Sequence, residues 1–357
     1  WHSWHLLQLL WRSASLCMRF VPIIWITPFC VVLWQQGGEE VFWRWVCSSL
    51  EAAGPTFIKF AQWASTRPDL LPPSVCKHLS VLQDTVRPHA FKHTALALED
   101  CLGIDWRERL ELEATPIGSG CMAQVYRGSL RQSGIAEARE VAVKVRHPGA
   151  LEKVELDLDI MRLGASTLEY VWAPLKNLSM SEMVEHFAHF VCPQADLRVE
   201  AKNLECFRKN FGYRDTGRGL RVVFPEVIEP FVSEAVLVET MEHASSFEKA
   251  LATAGQRPGD SKEDIVLEVC AQPVPGSTTM VPLKEVRESV GKLCMDVFLK
   301  MLFTDNFIHG DMHPGNMLFR FPDATPSDHG KPELVVLDAG LAIELSKRDR
   351  HNFVDCF

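Results

Sequence analysis

Apolar and polar positions recur along this chain in different rhythms, and each rhythm predicts a different element. From Leu16 to Trp34 the run is almost wholly apolar, with Arg19 near its start and Pro22 and Pro28 inside. A spanning helix needs about 20 apolar residues, and this run only just reaches that length. It reads as a membrane span, a membrane-surface helix, or a buried or interfacial hairpin broken at the prolines. Tryptophans at 1, 4, 11, 25, 34, 43 and 45 suit a bilayer interface and a core equally. Glu39 to Thr66 has helical spacing, broken at Gly54-Pro55, and Pro68, Pro72 and Pro73 then mark a loop. A further helical region runs from Val75 to about Leu112, interrupted near Arg87-Pro88 and Gly103.

The rhythm changes at Ala114. Short β-branched runs at 124–130, 140–146, 221–227 and 235–239 predict strands, with Ser133-Gly134 as a turn between the first two. Helical spacing over 151–171 and 181–211 inserts helices into a small antiparallel sheet. Residues 256–279, rich in Gly, Pro, Ser and Thr, read as an irregular surface insertion. Helical spacing returns over 285–303, with Val286, Val290, Leu293, Val297 and Met301 on one stripe.

Composition narrows the function classes. A formal charge of −9 with pI near 5.8 and no basic stripe argues against a nucleic-acid partner. The 11 cysteines form no C-x-x-C pair, which predicts packed, reduced thiols and neither a zinc site nor a disulfide framework. The chain begins at Trp1 without a methionine, as a processed form or a fragment would.

Four segments carry candidate chemistry. Gly118-Ser119-Gly120-Cys121-Met122-Ala123-Gln124-Val125 fits G-x-G-x-x-A-x-V ahead of a strand, where missing side chains let backbone N–H groups approach phosphate oxygens. A plain β-turn explains the glycines equally well. The next strand, Val141-Ala142-Val143-Lys144, ends on a lysine among apolar neighbours, which needs an anion. Asp196, Glu200 and Asn203 fall on one face of the predicted 181–211 helix, as solvated surface or, for Glu200, as the partner of Lys144.

His309-Gly310-Asp311-Met312-His313-Pro314-Gly315-Asn316 forms the fourth segment, followed by the apolar run 334–337 and Asp338-Ala339-Gly340. Alternating His309, Asp311 and His313 are conceivable metal ligands, but no further histidine cluster completes a site. Phosphoryl transfer explains more, with Asp311 accepting a proton or orienting a nucleophile and Asn316 and Asp338 holding Mg²⁺. Loop, lysine, glutamate, Asp-x-x-x-x-Asn and Asp-x-Gly follow one another in the order a kinase requires.

With these motifs the chain resembles the UbiB-like, or aarF-domain, atypical kinases over roughly residues 50 to 345. The specific part is Gly54-Pro55-Thr56-Phe57-Ile58-Lys59-Phe60-Ala61-Gln62 followed by Ser65 to Pro72. The resemblance implies an α+β, protein-kinase-like two-lobed fold with inserted helices and an N-terminal helical extension that carries Lys59 and Gln62 and obstructs the protein-substrate cleft. It implies ATP and Mg²⁺ as cofactors, lipid or quinone-pathway partners, and an inner-membrane mitochondrial setting. Adenine is expected at Glu239 and Met241, and the glycine loop contributes Gly118, Gly120, Ala123 and Val125. Ala61 replaces the signature glycine, Gly118 and Gly120 replace an alanine-rich loop, and the family's Glu-x-Asp appears as Gln194-Ala195-Asp196.

The resulting division is an apolar segment over 1–50, a helical extension over 51–113, an N-lobe over 114–245 and a C-lobe over 246–357, expected to be truncated at Phe357. The leading function is a membrane-associated ATP-dependent kinase or ATPase. A non-catalytic nucleotide-gated scaffold and a small-molecule phosphotransferase are the alternatives, and the Lys59-to-Pro72 segment argues against the latter.

Overall fold

The computed structural model describes residues 2–32, 38–69, 71–82, 86–131, 138–171, 179–212, 220–247, 250, 266–271, 276–323 and 330–355. The expected turn at Ser133-Gly134 lies outside them. The chain divides into two units, the first formed by Trp1–Leu98, Glu113–Tyr126 and Lys144–Asp196, the second by Glu99–Leu112, Arg127–Val143 and Leu197–Phe357.

The first unit is mainly helical. Its apolar N-terminal run is one helix, α1 (His2–Val32), which continues through Pro22 and Pro28, so the expected hairpin does not form. Each proline removes one backbone hydrogen bond, and packing against α2 (Gly38–Ala53) compensates. Arg12 pins α1 to its neighbours: Nε donates to Asp157 at 2.7 Å, and a terminal nitrogen donates to the Ala53 carbonyl. Gly54 then separates α2 from α3 (Pro55–Ser65) with φ 115°, a conformation that favours glycine. After α4 (Pro73–Leu79) and α5 (Phe91–Leu102), the unit is completed by α7 (Ala150–Val171) and α8 (Met180–Val191). Leu50, Phe57, Ile58, Ala61 and Trp63 share its core with Val154, Leu158, Phe187 and Val191.

A helix of one turn, α6 (Trp106–Arg109), leads into a six-stranded sheet. Its strands are β1 (Leu110–Leu112), β2 (Gly118–Ser119), β3 (Ala123–Leu130), β4 (Arg139–Arg146), β6 (Val227–Val232) and β7 (Val236–Thr240). Their order is β1-β3-β4-β7-β6, with β2 on β3, and β3 buries every second residue as a sheet facing a core on one side requires. Leu110 to Leu112 is thus a strand, where helical spacing was expected.

The predicted strand at 221–227 is interrupted at Pro225, which cannot donate to a ladder. Val222–Val223 forms β5 in a different sheet, while β6 begins at Val227. Pro193 likewise breaks the helix expected over 181–211 into α8, a 3₁₀ turn at Pro193–Ala195 and α9 (Leu197–Phe211). Asp196 is extended, with φ −117° and ψ 105°, so it does not share a helical face with Glu200 and Asn203.

The second unit holds a four-stranded sheet of order β5-β13-β12-β8, from β8 (Ser245–Ser246), β12 (Met317–Arg320) and β13 (Glu333–Val336). Against it lies a hairpin of β9 (Val266–Cys270) and β10 (Thr278–Pro282), so part of the expected irregular insertion is regular structure. Leu267, Val269 and Val281 bury against Phe319 and Phe321, a period-2 signal hidden by turn-forming neighbours. The stripe predicted on 285–303 is realised on α10 (Leu283–Leu299) and the π-helical turn Lys300–Asp305, where all five of its residues are buried. Two short strands, β11 (Ile308–His309) and β14 (Ala342–Ile343), pair, and α11 (Lys347–Val354) follows.

Candidate functional site

In the second unit, paired strands bring two sequence-distant loops together. β11 pairs with β14 and β12 with β13, so the loop from Gly310 to Asn316 and the turn from Leu337 to Leu341 lie side by side. Gly310 N donates to Leu341 O at 2.9 Å and Leu337 N to Asn316 O at 3.0 Å. A Cβ at Gly310 would come within 2.6 Å of the Leu341 side chain, so close approach of the two segments requires glycine here.

His309 bridges the loops. Its Nδ1 accepts from Asp311 N at 3.1 Å, and its Nε2 donates to the Asp338 carbonyl. The ring is therefore neutral with its proton on Nε2, and burial lowers its pKa although Asp338 and Asp311 pull the other way. Both ring nitrogens are occupied by protein atoms, which removes His309 from any metal-ligand set. Asn316 Nδ2 donates to Asp311 O at 3.2 Å, leaving the carboxamide oxygen as its ligating atom, and Asp338 Oδ1 accepts from Gly340 N at 2.9 Å. Asp311, Asn316 and Asp338 thus sit in one hydrogen-bonded network.

Helix α9 braces that network from behind. Asn203 Nδ2 donates to Ala339 O at 2.8 Å, and Glu200, in the first turn of the same helix, is 3% exposed. The Lys300 ammonium, 2.6 Å from Asp305, donates to Asn210 O at 2.8 Å, fastening the far end of α9 to the turn that precedes the loop. In the expected adenine segment Glu239 is buried on β7, and Met241 N lies 3.4 Å from Glu140 O. His243 also contacts Glu140, at 2.8 Å.

In the first unit, Gly118 and Ser119 on β2 pair with Val125 and Gln124 on β3, and Gly120 N donates to Ala123 O at 2.9 Å to close the turn. An added Cβ at Gly118 would meet nothing within 4 Å, so open space faces the loop there. Neither glycine has positive φ, and backbone conformation does not demand them. Lys144 on β4 is half-buried between the fully buried Val143 and Val145. The loop tip, Cys121 and Met122, packs into the same core as Phe57, Ile58 and Ala61 of α3. The helix carrying Lys59 and Gln62 therefore shares a core with the tip of the glycine loop. Lys59 is buried, and Gln62 Nε2 donates to Leu82 O at 3.2 Å. Gln194 is spent as a helix cap, donating to Phe190 O at 2.9 Å.

The family of the ABC1 atypical kinase-like domain matches residues 81–357. The chain belongs to the ABC1, or UbiB-like, family of atypical kinases. A mitochondrial ABC1 family protein of Saccharomyces cerevisiae is 29% identical over 407 residues, covering 97% of this chain and 57% of that protein. A mitochondrial ABC1 family protein of Schizosaccharomyces pombe is 28% identical, over 98% of this chain and 55% of its own length. The probable protein kinase UbiB of Aeromonas salmonicida is 30% identical, over 87% of this chain and 49% of its own. The chain spans about half the length of these curated relatives. Its fold is the α+β, protein-kinase-like one that membership implies.

The donor set of this ABC1 chain suits a hard divalent cation carried by a nucleotide. Among the described residues no group of three or more His, Cys, Asp or Glu could hold a metal ion unaided. The Asp338 carboxylate and the Asn316 carboxamide oxygen instead match Mg²⁺, which binds through one or two carboxylates plus substrate phosphates. At the glycine loop, Ser119 Oγ is buried without a hydrogen-bond partner among the described residues, and the space beside Gly118 is open. A phosphate oxygen would satisfy both features.

Sequence reasoning missed Arg320. Its guanidinium is fully buried, donating to Glu333 at 2.6 Å, to Glu242 at 2.9 Å and to the His243 carbonyl at 3.1 Å. An arginine ending an apolar strand opposite a glutamate was the available signal.

Proposed function

We propose that this ABC1 chain binds Mg-ATP and turns it over, acting at a mitochondrial inner membrane on a lipid or quinone-pathway client. The observation that carries the reading is the network joining Asp311, Asn316 and Asp338 through His309. Asp311 accepts a proton or orients the nucleophile, Asn316 and Asp338 ligate the metal, and Lys144 binds the α- and β-phosphates. Gly118, Gly120, Ala123 and Val125 shape the phosphate loop, and Glu239 and Met241 line the adenine segment. When bound, Mg²⁺ neutralises charge developing on the phosphoryl oxygens. Lys59, Gln62, Gln194 and Asp196 regulate the site and do not take part in the chemistry.

The outward face of α1 supports membrane association. Leu6, Leu10, Trp11, Met18, Trp25 and Phe29 are exposed along it, while Arg12 holds the helix on the unit through Asp157. An apolar stripe on an anchored helix fits one lying in the membrane surface. Among the described residues, Leu6–Cys30 is also long and apolar enough to cross a bilayer.

A specific observation favours a nucleotide-gated scaffold as the second reading. Helix α3 packs in one core with the glycine-loop tip, so nucleotide binding can be transmitted to the extension without turnover. The binding half common to both readings is tested by thermal unfolding of full-length protein with and without Mg-ATP. Nucleotide at about 100 times its Kd is expected to stabilise wild type by about 2.7 kcal/mol, with the increment lost in Lys144→Met. An equal increment in both proteins, or none in wild type, contradicts the assignment.

A further inference from the structure

The first unit contains a string of buried and half-buried polar groups that the proposed chemistry does not use. Gln124 Nε2 contacts the Tyr126 hydroxyl, which lies 2.7 Å from Thr94 Oγ1. Thr94 Oγ1 lies 2.9 Å from His89 Nε2, and His89 Nδ1 is 2.7 Å from His147 Nδ1. His147 Nε2 ends the string 2.9 Å from the Gly120 carbonyl, in the glycine loop. The string also closes on itself, because Gln124 Oε1 accepts from His89 N at 2.9 Å and Gln124 Nε2 donates to His89 O at 3.3 Å.

One proton arrangement satisfies every member. A carbonyl only accepts, so His147 Nε2 carries a proton and Nδ1 of the neutral ring accepts. His89 Nδ1 must then donate, and its Nε2 accepts from the Thr94 hydroxyl. Thr94 accepts from Tyr126, and Tyr126 from the Gln124 amide, whose orientation is fixed by its two bonds to His89. Protonating His147 would set two N–H groups against each other at 2.7 Å. Protonating His89 would reverse the hydroxyl chain against Gln124.

The string reaches a part of the loop where direction matters. Val86 N donates to Ser119 O at 3.1 Å and His147 N to Met122 O at 2.9 Å, so three loop carbonyls, those of Ser119, Gly120 and Met122, are held by protein donors. Across a trans peptide the next N–H points the opposite way. Fixing the carbonyls of Gly120 and Met122 therefore aims the N–H groups of Cys121 and Ala123, the kind of donor a phosphate oxygen accepts from.

We propose that His147, oriented by His89, is a positioning residue that holds the glycine loop in its nucleotide-binding shape. The proposal rests on the reading of this loop as the phosphate site. The groups around the pair reinforce its neutrality: burial, His147 and His93 hold His89 down to about 4, and burial with nearby Lys153 lowers His147. A basic group whose pKa is lowered on folding binds fewer protons in the folded state than in the unfolded one. The lock is therefore complete above pH about 6.5 and is lost as pH falls towards 4.

Two substitutions separate positioning from packing. His147→Gln keeps a donor near the Nε2 position that reaches Gly120, whereas His147→Asn keeps a polar group only near Nδ1. Mg-ATP titrations of full-length protein at pH 7.5 are expected to show about a five- to tenfold weaker Kd for His147→Asn, with His147→Gln within about twofold of wild type. Amide hydrogen exchange without nucleotide is expected to speed up at residues 119–123 in His147→Asn only, and in wild type between pH 6.5 and 5 after correction for intrinsic rates. If neither variant folds, Thr94→Val, which severs the string between Tyr126 and His89, is read by the same exchange measurement. Failure of wild type to bind nucleotide while exchange responds as described would remove the phosphate-site reading and leave the positioning role. Unchanged exchange at 119–123 in folded His147→Asn or Thr94→Val would overturn the proposal.

Discussion

Replacing Arg320 with alanine is expected to lower the unfolding free energy by about 3–5 kcal/mol, because it leaves the buried Glu333 and the largely covered Glu242 without their cation. Glu333 is the cross-strand neighbour of Arg320 on β13, and Glu242 approaches from the segment after β7. With the guanidinium gone, the buried Glu333 loses its cation, Glu242 keeps only a longer contact with the Thr240 hydroxyl, and the carbonyl of His243 loses its donor as well. Arg320→Lys keeps the charge without the planar fork that reaches three acceptors, so an intermediate loss is expected. Urea denaturation followed by far-ultraviolet circular dichroism reads both. A loss below about 1 kcal/mol for Arg320→Ala would mean that the triad contributes little, as exposed ion pairs do.

The second large effect is on turnover. Asp311→Asn keeps the size of the side chain and removes the carboxylate, and a positioned general base is worth about 10²- to 10⁴-fold. Phosphate release is expected to fall by that factor while Mg-ATP affinity stays within about threefold, since Asn316 and Asp338 retain their own hydrogen bonds. The split between rate and affinity decides the role. Equal losses in both would make Asp311 a binding group, and no loss would assign turnover elsewhere.

The residues of this site were legible in the sequence to the extent that their spacing is local. Asp311 and Asn316 share one loop, Asp338 follows a wholly buried strand, and the apolar stripe on α10 repeats at helical intervals. A resemblance to UbiB-like kinases picked out the helix bearing Lys59 and Gln62, which bottom-up reasoning would have left on the surface. What stayed hidden is long-range. His89 and His147 are 58 positions apart, and Arg320 and Glu242 are 78, so no periodicity links them. Asp196 was misplaced for a local reason, because Pro193 ends a helix whose apolar rhythm runs on beyond it. Rhythm also misled at 266–282, where glycine- and proline-rich neighbours concealed a hairpin. His309 was weighed as a ligand, although its part is to join two loops that strand pairing brings together.

The central claim is that Asp338, held beside Asp311 and Asn316, supports ATP turnover. The direct measurement is phosphate release by full-length protein with Mg-ATP and lipid vesicles, comparing wild type with Asp338→Asn. Vesicle-stimulated release by wild type and at least about a hundredfold less by the variant is the result expected for loss of a group that stabilises transition-state charge. Equal release from the two proteins would contradict it.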